Sequence, residues 1–479
     1  MPDLSNSVRS PAAQGWRLRL KILRISIREF LLFDSVVCKT VIGLASLIAG
    51  FLQYTWGRHK QGFAILSKFH RSALTSLGTA RVEELIRSAY RSSQEGKPHP
   101  LHQIYADYVT QITPTAQTRK LLEAPENLFK GSAIVLKSPG VNERGVLILQ
   151  YSYVYPLLAR FFDLNRIAER YYIVLEPSWS GFCDLNVLIF THVKSPVFVG
   201  SIEPRDTEFI RRLDSNLIAA PFSSNTWVDD RVFRPLPEVR KDADVIMVAG
   251  WADYKRHFAF FRGLRRLRQR ITQPRVILVG YPIDFGKEDV LRLAELYQVR
   301  DLLEIHEWAL PPEVNRLLNR AKVNVLWSRR EGVNRAIIEG MLAGVPCLVR
   351  EGLNYGYHYP HINSQTGRYS TEAALPQNLL EMIQHHDQYS PREWVLAHMS
   401  CQRTTALLNQ AIKAKALALG ENWTVDIVAK INELGCVRYW DADDESRFIE
   451  DYEFLRSVIM SKAQAQQTNY AQSFLTGPP

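Results

Sequence analysis

The chain has 479 residues, of which 46% are hydrophobic and 23% are charged, as in a globular protein with more than one domain. Its 59 Lys and Arg residues exceed its 49 Asp and Glu residues, and the net charge of +10 suits an anionic partner such as a phosphorylated substrate or an acidic lipid surface. The five cysteines lack the close spacing of a zinc or thioredoxin-like site, and no basic-aromatic motif indicates a nucleic acid. We therefore expect a cytoplasmic protein without a nucleic-acid partner.

Residues 1–130 are predicted to form a helical, basic N-terminal region. From Trp16, "WRLRLKILRISIREFLLF" places apolar side chains every three or four residues with five basic residues between them, as in a helix at a membrane interface. The next segment, "SVVCKTVIGLASLIAGFLQYTW", approaches the length of a bilayer span, but Lys39 interrupts it. No cleavable signal peptide is expected. For residues 30–56 a bilayer-associated helix, a helix buried in a bundle and a spanning helix stay open.

From Gly145 onward, short apolar runs alternate with helical stretches, which predicts an α/β fold with parallel sheets. The runs "GVLILQ", "YYIVLE", "PVFVG" and "NLIAA" place a first Rossmann-like, acceptor domain at 131–220, and a turn-rich linker follows at 221–243. The runs "DVIMVAG", "RVILVGY", "LLEIHEW", "VNVLW" and "VPCLV" place a second Rossmann-like domain at 244–390. Residues 391–479 complete the chain as a helical extension with a disordered polar tail. We thus expect two doubly wound domains facing a cleft, with helical extensions.

The stretch "WSRREGVNRAIIEGMLAGVPCLV" holds two glutamates, Glu331 and Glu339, around a short turn. On one continuous helix eight residues would leave the two side chains about 80° apart, so they would not share a face. The spacing instead indicates a helix that begins between them. Glu331 then lies in the loop at a strand's carboxyl end and Glu339 lies inside the next helix, at the edge where open α/β sheets bind ligands.

The turn between the glutamates precedes the predicted helix, whose free N–H groups and dipole attract phosphate. Arg329 and Arg330 add positive charge nearby. A glycine-containing surface loop with arginines is the alternative interpretation. The four turn residues are Gly332, Val333, Asn334 and Arg335.

A second cationic loop, "AGWADYKRHF", follows the first strand of the second domain and carries Lys255 and Arg256. Loops after neighbouring strands converge, so both cations could meet a phosphate held by the Glu331 turn. As residues of a helix's first turn they would oppose its dipole, which favours a functional role over a plain surface role. Glu339 could accept hydrogen bonds from a ribose diol, and Glu331 could face a sugar. A solvated helix glutamate and a carboxylate near a helix start are the alternatives.

These motifs resemble those of retaining GT-B glycosyltransferases of the family 4, or group 1, type. The resemblance covers about 145–370 and includes the two glutamates with seven residues between them, "GMLAGVPCLV", and "WVDDRVFRPL" in the linker. It implies that the second domain binds a nucleotide-diphosphate sugar as co-substrate, without a metal or other cofactor. Glu339 would hold the ribose, Lys255 and Arg256 the diphosphate, and Glu331 the donor sugar. The chain departs from the family pattern at Asn334 and Arg335, where the family has a glycine and an apolar residue.

Candidate acceptor residues follow the strands of the first domain, where Tyr151, Tyr153, Trp179 and Asp184 lie in aromatic-rich loops. Aromatic faces suit sugar rings, although such loops can equally pack a domain interface. The sequence predicts transfer of a sugar to a lipid-linked or polysaccharide acceptor, with retention of configuration, at the cytoplasmic face of an anionic membrane. A non-catalytic GT-B scaffold that binds a nucleotide or glycan is the alternative, and the departure at Asn334 and Arg335 favours it.

Overall fold

The computed structural model describes residues 11–115 and 118–460, with side chains from Gly15 onward. The predicted polar tail, which starts at Ala463, lies outside the described residues. The helices of this part of the chain are α1 (Pro11–Glu29), α2 (Val36–Thr55), α3 (His59–Ser72), α4 (Thr79–Gln94), α5 (Pro100–Thr110), α6 (Arg119–Glu123), α7 (Tyr155–Phe161), α8 (Leu164–Arg170), α9 (Leu185–Leu188), α10 (Pro204–Leu213), α11 (His257–Leu267), α12 (Lys287–Leu296), α13 (Pro311–Arg320), α14 (Arg335–Leu342), α15 (Leu375–Gln384), α16 (Pro391–Met399), α17 (Cys401–Ala418) and α18 (Ile449–Ser457).

All nine strand runs named from the sequence form strands, and four further strands are present in the described residues. The strands are β1 (Ala133–Lys137), β2 (Gly145–Gln150), β3 (Tyr171–Glu176), β4 (Val197–Gly200), β5 (Leu217–Ala220), β6 (Ala243–Val248), β7 (Val276–Gly280), β8 (Leu303–Glu307), β9 (Ala321–Leu326), β10 (Cys347–Arg350), β11 (Gly367–Ser370), β12 (Lys430–Asn432) and β13 (Val437–Tyr439). The expected α/β fold with parallel sheets, flanking helices and helical extensions is confirmed.

The chain divides into two compact units that are not contiguous in sequence. Of the described residues, the first α/β unit takes in Lys39–Asp229 and those from Met399 onward, and the second takes in those up to Cys38 and Asp230–His398. Helix α1 therefore belongs with the second sheet, although some 200 residues separate them. The predicted linear domains could not show this, because periodicity identifies a helix but not the sheet on which it packs.

The first α/β unit is built on a five-stranded sheet in the order β1-β2-β3-β4-β5. Strand β1 is antiparallel to β2, and the other neighbours are parallel. Every residue of β1 to β4 is buried, which explains their continuous apolar runs. The C-terminal extension adds the antiparallel pair β12-β13, where only helix was predicted. Lys430 of β12 reaches Glu176 at the end of β3, and both side chains are fully buried.

One face of α2 packs against other helices and turns of this unit, and its other face is exposed. Its glycines allow the close packing, because a Cβ at Gly43 would lie 2.8 Å from Thr75 and one at Gly50 would lie 2.7 Å from Leu66. The other face exposes large apolar side chains. By length and composition α2 could cross a membrane, with a mean hydropathy of 1.8 and 17% of its apolar window buried. The exposed apolar residues along and just after α2 are Val36, Val37, Val41, Ile48, Leu52 and Trp56.

The second α/β unit is built on a six-stranded parallel sheet in the order β11-β10-β9-β6-β7-β8. The chain moves outward from β6 to β8 and then returns to the opposite side of β6 as β9. The direction of winding therefore reverses between β6 and β9, which is the point at which open parallel sheets bind ligands beyond their carboxyl ends. The loops that follow these two strands carry Lys255, Arg256 and Glu331.

Candidate functional site

The loops after β6 and β9 meet at the point where the winding reverses. Lys255 Nζ lies 2.5 Å from Glu331 Oε1, and both side chains are buried. The backbone N–H of Arg329 donates to the carbonyl oxygen of Tyr254 at 2.8 Å, which joins the two loops directly. Lys255 and Arg256 precede α11, which begins at His257, and Arg256 itself is left-handed with a φ of 58°. The predicted convergence of the two cationic loops is thus present in the structure.

Glu331 is fixed by a residue that the sequence interpretation missed, Asn354. The side-chain oxygen of Asn354 accepts from the N–H of Glu331 at 2.8 Å, and its amide nitrogen donates to the carbonyl oxygen of the same residue. Asn354 lies in the loop after β10 with a φ of 45°, a conformation that asparagine tolerates better than most residues. The backbone of the loop glutamate therefore has a defined position.

Glu339 lies one turn inside α14, as expected, but it has an ionic partner. Arg335 Nε donates to Glu339 Oε1 at 2.7 Å. Burial raises the pKa of Glu339, and the neighbouring guanidinium of Arg335 opposes this effect. The helix begins here because the side-chain oxygen of Asn334 accepts from the N–H of Ile337 at 3.1 Å. The two residues at which the chain departs from the family pattern thus cap the helix and pair with the ribose candidate.

The remaining turn residues lie between these two features. Gly332 is partly exposed and Val333 is buried. Of the arginines predicted to surround the turn, Arg330 is exposed, whereas Arg329 is buried. The four turn residues directly follow Glu331, which contacts Lys255, and their contact with a phosphate stays a prediction.

Arg256 is 3% exposed and is held by carboxylates from two distant parts of the chain. It pairs with Glu29 at the end of α1 and with Glu372 after β11. Glu29 also lies 3.2 Å from Nη2 of Arg329. Burial, together with the nearby Arg350 and Arg329, lowers the pKa of Arg256 to about 9, although Glu372 opposes this. The second cation of the site is therefore buried and neutralised in this structure.

Arg350 and the carboxylates around Arg256 were not identified from the sequence. Arg350 ends β10 and is 8% exposed, and burial together with Arg329 lowers its pKa to about 10. Nothing in the local sequence around Arg350 or Glu372 indicates that these residues lie near Arg256, because that proximity depends on the order of the strands in the sheet. Glu29 and Asp34 are conspicuous in the sequence, since they are the only acidic residues between Asp3 and Glu83.

The acceptor candidates lie in the first α/β unit, after β2 and β3. The rings of Tyr151 and Tyr153 stack with centroids 5.8 Å apart, and Trp179 is 52% exposed. Asp184 caps α9, since its side chain accepts from the N–H of Asn186 at 2.9 Å, and it also pairs with Arg71. Tyr151 and Tyr153 are half-buried, and Asp184 has a structural role as the cap of α9. Acceptor binding by all four stays a prediction.

Comparison with known proteins bears on the second α/β unit. Residues 242–381 match the family model of group 1 glycosyl transferases, and this range contains Lys255, Arg256, Glu331 and Glu339. No curated protein sequence matches the chain.

Several solved structures are similar at low identity. They include S. aureus TarM (12% identity, TM-score 0.44, 56% of this chain and 54% of that chain), sucrose-phosphate synthase from Thermosynechococcus elongatus (15%, 0.45, 57% and 73%) and the pneumococcal O-GlcNAc transferase GtfA in complex with UDP and GlcNAc (13%, 0.41, 54% and 55%). The chain thus spans about half the length of TarM. The family match over the second unit, taken with the two α/β units and their largely parallel sheets, supports a glycosyltransferase of the GT-B type.

Proposed function

We propose that this protein transfers a sugar from a nucleotide-diphosphate sugar to a glycan or lipid-linked acceptor, with retention of anomeric configuration. The observation that carries the proposal is the contact between Lys255 and Glu331 at the point where the winding of the second sheet reverses. This contact joins a cation suited to a diphosphate to a carboxylate suited to a sugar. Glu339, on the following helix, completes the donor site by accepting hydrogen bonds from the ribose.

The chemistry in this proposal is electrostatic. The bond between the anomeric carbon and the diphosphate oxygen breaks, and the acceptor hydroxyl forms the new bond on the same face of the sugar. Lys255, Arg256 and the N–H groups of the 332–335 turn stabilise the negative charge of the leaving diphosphate, so a resident metal ion is not required. The acceptor proton passes to an oxygen of the departing diphosphate, as is proposed for the family that the chain resembles.

Nucleotide binding is the first test. A panel of UDP, GDP, ADP and their sugars should contain at least one ligand that raises the unfolding temperature, because a ligand that binds the native state stabilises it. The responding sugar nucleotide should then release its nucleoside diphosphate in the presence of a glycan or glycolipid acceptor and of EDTA. An inverted anomeric centre in the product, or a requirement for a divalent cation, would contradict the corresponding part of the proposal.

We also propose that the acceptor is reached at the cytoplasmic face of a membrane. In α1 the apolar residues Trp16, Leu23 and Ile27 are exposed, together with Arg24 and Arg28, and this combination suits an anionic lipid interface. In α2 the glycine face is occupied by protein, so only the opposite apolar stripe is free to enter lipid. This arrangement supports a helix lying in one leaflet rather than spanning both.

Vesicle flotation tests the membrane contact. The full-length protein should float with vesicles that contain phosphatidylglycerol and less well with phosphatidylcholine alone. Replacing Val41 and Ile48 by aspartate should abolish flotation, whereas the same change at the exposed Leu434, outside both helices, should not. Equal flotation of all three proteins would reject the proposed surface.

A non-catalytic scaffold is the second candidate function. It is favoured by the pairing of Arg335 with Glu339 and of Glu29 with Arg256, because both pairs occupy groups that a donor would need. The two functions differ in one measurement. Nucleotide binding without transfer or hydrolysis of any sugar nucleotide, in the presence of candidate acceptors, would favour the scaffold.

A further inference from the structure

Three buried arginines come together beside the candidate donor site of the second α/β unit. Arg256, Arg329 and Arg350 are 3%, 5% and 8% exposed. They influence one another electrostatically, since Arg329 lowers the pKa of both of the other two. Guanidinium groups remain charged when buried, so such a cluster requires anions.

The anions in this structure come partly from the N-terminus. Glu29 pairs with Arg256 and with Arg329, and its side chain is 7% exposed. Asp34 Oδ1 lies 2.8 Å from Nη1 of Arg329. Part of the compensating charge thus comes from the end of α1 and the residues just after it, some 220 residues away from Arg256 in sequence, and Glu372 supplies a further carboxylate to Arg256.

Several contacts place Glu29 in this position. Leu18 and Ile25 of α1 are buried in the core of the second unit. Lys21 Nζ donates to the carbonyl oxygen of Asp284 at 2.5 Å, and Arg28 Nη2 lies 2.7 Å from the carboxylate of Asp253. These contacts span three turns of α1 on one side. The position of Glu29 is therefore a product of helix docking rather than of a single mobile side chain.

The same cluster has hydrogen-bonding capacity that the carboxylates leave unused. The Nε atoms of Arg256 and Arg329 and the Nε and Nη1 atoms of Arg350 are buried and have no hydrogen-bond acceptor among residues 15–115 and 118–460. Buried donors normally have partners, and native structures leave few of them unpaired. A diphosphate offers more negative charge and more acceptor oxygens than one carboxylate, and it can accept from several guanidinium groups at once.

We propose that Glu29 is a built-in competitor of the donor diphosphate: its carboxylate occupies the cluster of Arg256, Arg329 and Arg350, and the donor binds only when α1 releases it. This inference rests on the proposed function, in which Arg256 contacts the diphosphate. Helix α1 then sets the affinity for the donor, because only the fraction of molecules with Glu29 displaced can bind.

Titration calorimetry of the full-length protein with UDP, GDP and ADP tests the competition. The variant Glu29→Gln keeps the size of the side chain and removes its charge, so we expect binding that is about tenfold tighter or more, as for a binding-competent state that is a minor one. The variant Glu295→Gln removes an exposed carboxylate from α12 in the same unit and should bind as the natural chain does. Affinity that is unchanged or weaker in Glu29→Gln would overturn the proposal.

A second variant covers the case in which Glu29→Gln fails to fold. Ile25→Asp leaves every charge of the cluster in place but disrupts the buried face of α1, so it should also bind the nucleotide more tightly. In the natural protein, nucleotide addition should speed the amide hydrogen exchange of residues 22–34, and unchanged or slower exchange there would contradict displacement. If folded Glu29→Gln and the natural chain both fail to bind any nucleoside diphosphate, the donor assignment itself is rejected, and the competition with it.

Discussion

Lys255 Nζ lies 2.5 Å from Glu331 Oε1, although 76 residues separate the two in sequence. The lysine follows β6 and the glutamate follows β9, and these strands are neighbours in the sheet. The pair is buried, so each charge depends on the other for compensation in the absence of a ligand. In the proposed reaction this contact places a cation for the leaving group directly beside a carboxylate that faces the sugar.

Replacing Lys255 and Arg256 together by alanine should lower turnover by a factor of about 10² or more, by analogy with the loss of a single oxyanion donor in other enzymes. The physical reason is that the leaving diphosphate would lose two of the side-chain cations that neutralise it. Steady-state release of the nucleoside diphosphate measures this effect. The conservative pair Lys255→Arg and Arg256→Lys should retain more activity than the alanine pair.

A loss of folding stability would also lower turnover, because Glu331 would be left buried without its cation. The double variant should therefore be compared with Lys255→Ala combined with Glu331→Gln, which removes both charges of the pair. We expect the second combination to recover stability but not turnover. Near-normal turnover in the alanine pair would reject the catalytic assignment of both cations.

The ribose assignment of Glu339 predicts a preference among nucleotides. The natural chain should bind a ribonucleoside diphosphate about 10 to 100 times more tightly than its 2′-deoxy analogue. This ratio is the usual contribution of a hydrogen bond to a charged group. Glu339→Gln should bind the ribonucleotide less tightly and discriminate less between the two. Competition binding with matched nucleotide pairs provides the measurement. An undiminished preference in the variant would show that another residue holds the ribose.

Much of the second α/β unit could be predicted because its signals are local. Apolar runs indicated β6 to β10, and the spacing of Glu331 and Glu339 placed a helix start between them, where α14 begins. The convergence of the β6 and β9 loops followed from the rule for open sheets. Local patterns cannot predict the ion pairs of Arg256, since its partners come from α1 and from the loop after β11.

Helix α1 shows most clearly which contacts a sequence pattern cannot predict. The basic, amphipathic pattern of α1 predicted an interfacial helix, and its exposed side carries the expected residues. The buried side, however, packs on a sheet that begins more than 200 residues later, with Leu18 and Ile25 in its core. No periodicity in the N-terminal sequence could identify that sheet. The isolated acidic residues Glu29 and Asp34 in a basic segment were the available clue.

The strand that follows the site depends on the absence of a side chain at Gly367. A Cβ at this position would lie 1.9 Å from the carbonyl oxygen of Cys347 in β10, and the φ of Gly367 is 157°. Gly367→Ala should therefore push β11 away from β10 and destabilise the protein by about 1–3 kcal/mol, as overpacking does. The unfolding midpoint in urea measures the change. Gly15→Ala, at an open position inside α1, should raise stability slightly instead.

The stability of the first α/β unit should depend on pH through Glu143. Its carboxylate lies 2.8 Å from Lys137 Nζ, and both side chains are nearly fully buried. Burial acts to raise the pKa of Glu143, but hydrogen bonds from Lys137 and Thr424 outweigh it and lower the pKa to about 2. A folded-state pKa below the unfolded one stabilises the native state above about pH 4.5, and this contribution disappears as the pH falls toward 2.

Glu143→Gln should consequently destabilise the protein by about 3 kcal/mol at pH 7, because the buried ammonium of Lys137 loses its counter-charge. At pH 3 the difference between the variant and the natural chain should be smaller, since part of the natural carboxylate's advantage is already lost there. Urea unfolding at pH 7, 5 and 3 tests both statements. Glu84→Gln, which removes an exposed partner of Arg91, should cost under about 1 kcal/mol at pH 7. A penalty for Glu143→Gln that stayed constant across the three pH values would show that shape rather than charge holds this pair together.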